Sequence, residues 1–123
     1  SATISGGITN SAFGQAFIGG NFDMSSATIS GITNSTFDGA GINGHFDMSS
    51  ATISGGITNF GLGGLGILNN LLLIKTIFLD GGIQAGSFGG TIVGGFVYAS
   101  GARFPNHTLP IQMLFGLTVA QGV

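Results

Sequence analysis

The sequence has no cysteine and no tryptophan, two prolines, and only six formally charged residues among 123. Without cysteine there is neither a disulfide framework nor a thiolate zinc site. Charged residues make up 5% of the chain, where about a quarter is typical. That argues against a highly soluble cytosolic monomer, because solubility rests on a charged surface. The two cations, Lys75 and Arg103, cannot neutralise a run of phosphates, so electrostatic binding of nucleic acid is excluded. Disorder is excluded as well, since it goes with low hydrophobicity and high net charge, whereas this chain is 43% hydrophobic with a net charge of −2. Ser1 stands where an initiating Met would, as expected of a mature product or a fragment.

What fills the chain instead is 25 Gly, 11 Phe and a repeat. Ser25-Ser26-Ala27-Thr28-Ile29-Ser30-Gly31 returns as Ser49-Ser50-Ala51-Thr52-Ile53-Ser54-Gly55, and Phe22-Asp23-Met24 returns as Phe46-Asp47-Met48. The period continues into the second half, where Gly81-Gly82-Ile83, Phe88-Gly89 and Gly94-Gly95 echo Gly6-Gly7-Ile8, Phe13-Gly14 and Gly19-Gly20. Four imperfect copies cover residues 1–99, at about 1–24, 25–48, 49–74 and 75–99; residues 100–123 have the length of a divergent fifth copy or assembly strand. Four apolar columns follow: Ile8, Ile32, Ile57, Ile83; Phe13, Phe37, Leu62, Phe88; Ile18, Ile42, Ile67, Val93; and Phe22, Phe46, Leu71, Val97.

A short period with fixed apolar columns is what a solenoid needs, because each coil buries its face on the next. The unit is rich in Gly, Ile, Thr, Ser, Phe and Asn, which favour strands and turns. Alternation in Ala27-Thr28-Ile29-Ser30 and Phe22-Asp23-Met24 reads as strand. The expectation is an all-β fold: a β-solenoid of about five coils with a 24–25-residue repeat, two or three short strands per coil, and glycines at the corners. Stacking would place Phe over Phe and Asn10, Asn34 and Asn59 in an amide ladder. It would also set Asp23 over Asp47, an unfavourable pair unless solvated or shared by a Ca²⁺ ion.

The two halves differ outwardly. Thr, Ser, Asn and Asp occupy the outward positions of the first copies, whereas Leu62–Leu79 and Ile92–Tyr98 are apolar at both parities. A strand apolar on both faces is normally covered on both. The expected assembly interface comprises Ala2 and Ile4 at one end, Leu62, Leu65, Leu72, Ile74, Phe96 and Tyr98 in the apolar stretches, and Ile111, Met113, Phe115, Leu117 and Val119 near the other end. A competing expectation is a membrane span over residues 60–79, which have the length for one but carry Asn69, Asn70 and Lys75. Pro105 and Pro110 interrupt the last copy, and the Ile111–Val119 run after them is a strand suited to pairing with a neighbouring subunit.

No motif points to catalysis, a cofactor or a metal. His45-Phe46-Asp47 sets His and Asp on one face of a strand, but no nucleophile-elbow sequence frames it. His45 shares its turn column with Asn21 and Asn70. Gly61-Leu62-Gly63-Gly64-Leu65-Gly66 lacks the Lys-Ser or Lys-Thr of a phosphate loop. Asn34-Ser35-Thr36 and Asn106-His107-Thr108 are glycosylation sequons, with Asn34 and Asn106 as acceptors.

Five Gly-rich repeats without cysteine make the chain similar in layout, though not in motif, to curli-type fibre subunits. That resemblance implies end-to-end stacking as extracellular functional amyloid; open solenoid ends and scarce charge point to a homo-oligomeric partner, and the lack of a catalytic motif points away from an enzyme. The rival is an ice-binding face: Thr3-Ile4-Ser5, Thr28-Ile29-Ser30 and Thr52-Ile53-Ser54 would stack into a flat hydroxyl and methyl array that looks like those of β-solenoid antifreeze proteins.

Overall fold

The structure is a computed structural model that describes residues 3–4, 6–8, 11–58, 61–79, 83, 87–104 and 118–122. It is all-β in these residues and forms a parallel β-solenoid. Thirteen two-residue strands follow in chain order, three to a level. The first level holds β1 (Thr3–Ile4), β2 (Phe17–Ile18) and β3 (Phe22–Asp23); the second β4 (Thr28–Ile29), β5 (Gly41–Ile42) and β6 (Phe46–Asp47). The third holds β7 (Thr52–Ile53), β8 (Gly66–Ile67) and β9 (Leu71–Leu72); the fourth β10 (Ile77–Phe78), β11 (Ile92–Val93) and β12 (Val97–Tyr98). Strand β13 (Thr118–Val119) pairs with β11, and Arg103 and Gly122 bridge to Ile77 and Phe96.

Like strands stack into three parallel sheets: β1-β4-β7-β10 (first), β2-β5-β8-β11-β13 (second) and β3-β6-β9-β12 (third). Paired residues lie 24 (Thr28 with Thr52), 25 (Thr52 with Ile77) or 26 apart (Ile92 with Thr118). The Ile8–Ile32–Ile57–Ile83 column forms a fourth, strandless line of bridges. All four predicted apolar columns point inward and make one continuous core.

Two columns show why these sequences turn where they do. Ser26, Ser50, Lys75 and Gly101 all take left-handed backbone, with φ of 59°, 60°, 57° and 71°, at the corner between the third sheet and the first. Glycine carries no Cβ penalty there, whereas a side chain costs about 1–2 kcal/mol. The stacked turns therefore impose one backbone shape on three residue types, Ser, Lys and Gly. The second column is Thr36, Gly61 and Ser87, which face the carbonyls of Ile8, Ile32 and Ile57. Thr36 Oγ1 donates to Ile8 at 3.0 Å and Ser87 Oγ to Ile57 at 2.6 Å. At Gly61 the backbones are close enough that a Cβ would collide with the Ile32 carbonyl.

Residues 61–79, the described part of the candidate span, form strands and turns of the third and fourth levels. Among the described residues no helix is long and apolar enough to cross a membrane. The glycine expectation also needs correction: Gly41 and Gly66 lie within strands β5 and β8 rather than at corners.

Candidate functional site

The outward surface is the candidate site, and strand parity decides what it displays. On the first sheet Ile29, Ile53 and Phe78 turn in. Thr28 and Thr52 turn out in register, with Ser30 and Ser54 two residues on, and are followed by Ile77 and the exposed Leu79. The hydroxyl array thus gives way to an apolar surface down one sheet.

On the third sheet Phe22, Phe46, Leu71 and Val97 point in, and Asp23, Asp47, Leu72 and Tyr98 occupy the opposite face. Asp23 lies over Asp47 as predicted. Each carboxylate turns an oxygen back on its own chain, accepting the N–H of Ser25 or Ser49 at 2.8 Å, which gives both acids a structural role in the turn. The Ser25 hydroxyl and N–H hold the Asp23 carboxyl below the usual carboxylate range, against a small opposing effect of desolvation.

The corner column read as plain turn residues is a hydrogen-bonded ladder. Asn21 Oδ1 accepts the His45 N–H at 2.8 Å, His45 Nδ1 accepts the Asn70 N–H at 3.1 Å, and Asn70 Oδ1 accepts the Phe96 N–H at 2.8 Å. His45 is thereby held as an acceptor at Nδ1. Nothing in the spacing of Asn21, His45 and Asn70 announced this, because a side chain bonding to the next coil is visible only after the coils are stacked. Of the predicted Asn ladder only Asn34 falls among the described residues; Asn10 and Asn59 lie outside them.

Predicted interface residues divide four ways. Phe96 and Tyr98 are exposed, with their rings 5.5 Å apart; Ile4, Leu72, Ile74 and Val119 are half-buried. Leu62 and Leu65 are core residues and have no surface to offer another chain. Their segment is apolar at both parities, but their positions lie in the turn before β8 and face inward. Ala2, Ile111, Met113, Phe115 and Leu117 lie outside the described residues, as does Asn106. Asn34 is exposed, whereas Thr36 of its sequon is buried. Four exposed apolar residues were missed: Phe17 at 74%, Leu68 at 64%, Ile92 at 57% and Leu79 at 47%. The signal was parity, since Phe17 and Ile92 each alternate with an inward residue of the Ile18–Val93 column.

The first level completes the picture. Strands β1, β2 and β3 each pair on one side only among the described residues. Ile4, Ile8, Phe13, Phe22, Met24 and Ala27, with Asp23 and Ser25 at the rim, line a depression of about 420 Å³ there. It is the core seen end-on. No protein family, curated protein or solved structure matches this chain. Among the described residues no group of three or more His, Cys, Asp or Glu side chains comes together.

Proposed function

We propose that this chain is a structural subunit of an extracellular filament, stacked end to end through its strand edges, with each copy contributing five coils. The observation that carries the reading is the first level: three strand edges, unpaired among the described residues, surround an apolar depression made of core side chains. Unpaired edges template the addition of another chain, and the six charges of the whole sequence provide little repulsion against it. The count of five takes Arg103, β13 and Gly122 as parts of a last coil under the fourth level. The extracellular setting rests on the curli-like layout and the sequons.

Electron microscopy and fibre diffraction of purified protein test this. The expected result is filaments with a meridional reflection near 4.8 Å and an axial rise of roughly 24 Å per copy. Protein that stays monomeric at high concentration overturns the reading. The register of Thr28 with Thr52 favours one alternative, an ice-binding face on the first sheet. Thermal hysteresis from the monomer, abolished by Thr28→Leu with Thr52→Leu, would select it.

A further inference from the structure

The second sheet presents an alternating relief. Phe17 is followed across the outward face by Gly19, and Ile92 by Gly94; on the two levels between them the order reverses, with Gly41 before Asn43 and Gly66 before Leu68. Each of these positions flanks an inward Ile or Val of the core column. The extended backbone continues through the second member, since the N–H groups of Asn43, Leu68 and Gly94 donate to Ile18, Ile42 and Ile67 at 2.9, 2.8 and 2.8 Å. Every level thus displays one large and one small residue, and Gly41 and Gly66 floor a shallow apolar trench of about 310 Å³ beside Leu68 and Ile92.

The coil itself does not require these two strand glycines. A Cβ on Gly41 would come no nearer than 3.8 Å to Phe17, and one on Gly66 no nearer than 3.9 Å to the Ala40 carbonyl. Neither has a positive φ. Glycine within a strand weakens it and often marks where another backbone approaches. Gly94 differs, because a Cβ there would strike the Leu68 carbonyl.

We propose that the second sheet is a lateral seam that pairs two copies of this chain, parallel and in register, about a two-fold axis along the stack; the proposal rests on the filament reading above. Such an axis keeps each level opposite its own counterpart and exchanges the two outward columns. Phe17 then faces Gly19, Leu68 faces Gly66, Asn43 faces Gly41 and Ile92 faces Gly94. Each large side chain meets a gap, as in the dry interdigitated seams of stacked β-structures. An antiparallel pairing centred on the sheet sets Gly66 against Gly66 and Leu68 against Leu68, so that only the contacts of Ile92 with Gly41 and Asn43 with Gly94 are complementary.

Area explains why a second copy fits this face only within a filament. Five strands at ~4.8 Å and a width of roughly 10 Å give about 250 Å² per partner, against about 800 Å² for a stable interface. One pair of copies is too small to hold. A two-fold axis coincident with the stack axis repeats the same contact in every copy without interruption, so the area grows with filament length.

Mass per length of filaments, measured by scanning transmission electron microscopy, tests this. Wild-type filaments are expected to carry two copies per axial rise. Gly41→Ala with Gly66→Ala places a Cβ where the coil has room but the seam does not, and should halve that value. Leu68→Ser, at an exposed position, is expected to shift it the same way, which guards against misfolding of the first variant. Wild-type filaments with one copy per rise, or variant filaments that keep two, overturn the seam while leaving end-to-end stacking intact. A chain that never forms filaments overturns the stacking and the seam together.

Discussion

The first two levels of the stack and the two that follow share columns but fill them differently. In the first two, Phe13, Phe22, Phe37 and Phe46 form a ring cluster: Phe13 lies flat on Phe37 at 5.2 Å, while Phe22 meets Phe13 and Phe37 edge-on at 5.1 and 5.3 Å. In the third level the same two columns hold Leu62 and Leu71. The lost ring volume is offset one column away, where Leu65 follows Ala16 and Ala40. In the fourth level Phe88 returns while Thr91 replaces Leu65, and its hydroxyl donates to the Leu62 carbonyl. The coil conserves the volume it encloses and tolerates changes in which column supplies it. Interiors at crystal-like density leave no alternative.

Truncating the ring cluster should have the largest effect. Phe37→Ala removes a fully buried ring that contacts three others, and an expected loss of about 3–5 kcal/mol would be read from urea unfolding. A destabilisation no greater than that of an exposed-site control would dissolve the contrast between the halves. Next comes a test of volume exchange: Leu62→Phe alone should cost about 1–3 kcal/mol by overpacking, and adding Leu65→Ala should restore most of it. Additive losses in that double-mutant cycle would show that the two columns do not share space.

The corner ladder gives a smaller effect. His45→Ala leaves the Asn70 N–H without its acceptor and should lose about 1 kcal/mol. His45→Asn, which reproduces the residue above and below, should be nearly neutral in thermal melts. The smallest effect is at Asp23. Its folded pKa is lowered, so its contribution is complete above the ordinary carboxylate range and is lost as pH falls through the lowered value. Unfolding measured from about pH 5 to about pH 2 should therefore show a shallower fall for Asp23→Asn than for wild type. Equal slopes would assign the acid sensitivity elsewhere.

Much of the fold was legible because a solenoid writes itself as repetition. Ile8, Ile32, Ile57 and Ile83 stand in the column the sequence places them in, and Phe22 over Phe46 is in the expected register. Less legible was which apolar residues face out. Leu65 read as surface, and Leu62 both as a core-column residue and as part of the interface, because their segment is apolar at both parities; the turn before β8 folds both inward. Phe17 was given no place on the expected surface, although its strand parity opposes it to Ile18. The ladder through His45 was hidden for a different reason: it joins residues of successive coils by side chain to backbone, and periodicity records only like over like.

The parallel register has a kinetic consequence. Among the described residues every strand partner lies 24 to 26 residues away, as in Thr28 with Thr52 and Ile92 with Thr118, and no hairpin offers a nearby start. The first coil must close a loop of about 25 residues before a single ladder bond forms, and that closure entropy is the barrier to starting. Later coils meet a finished edge and need only lay down one turn upon it. Any pre-formed edge, supplied from within the chain or from outside it, removes the slow step. In the filament proposed above that edge is a copy already folded, and the chain should then fold faster against it than alone.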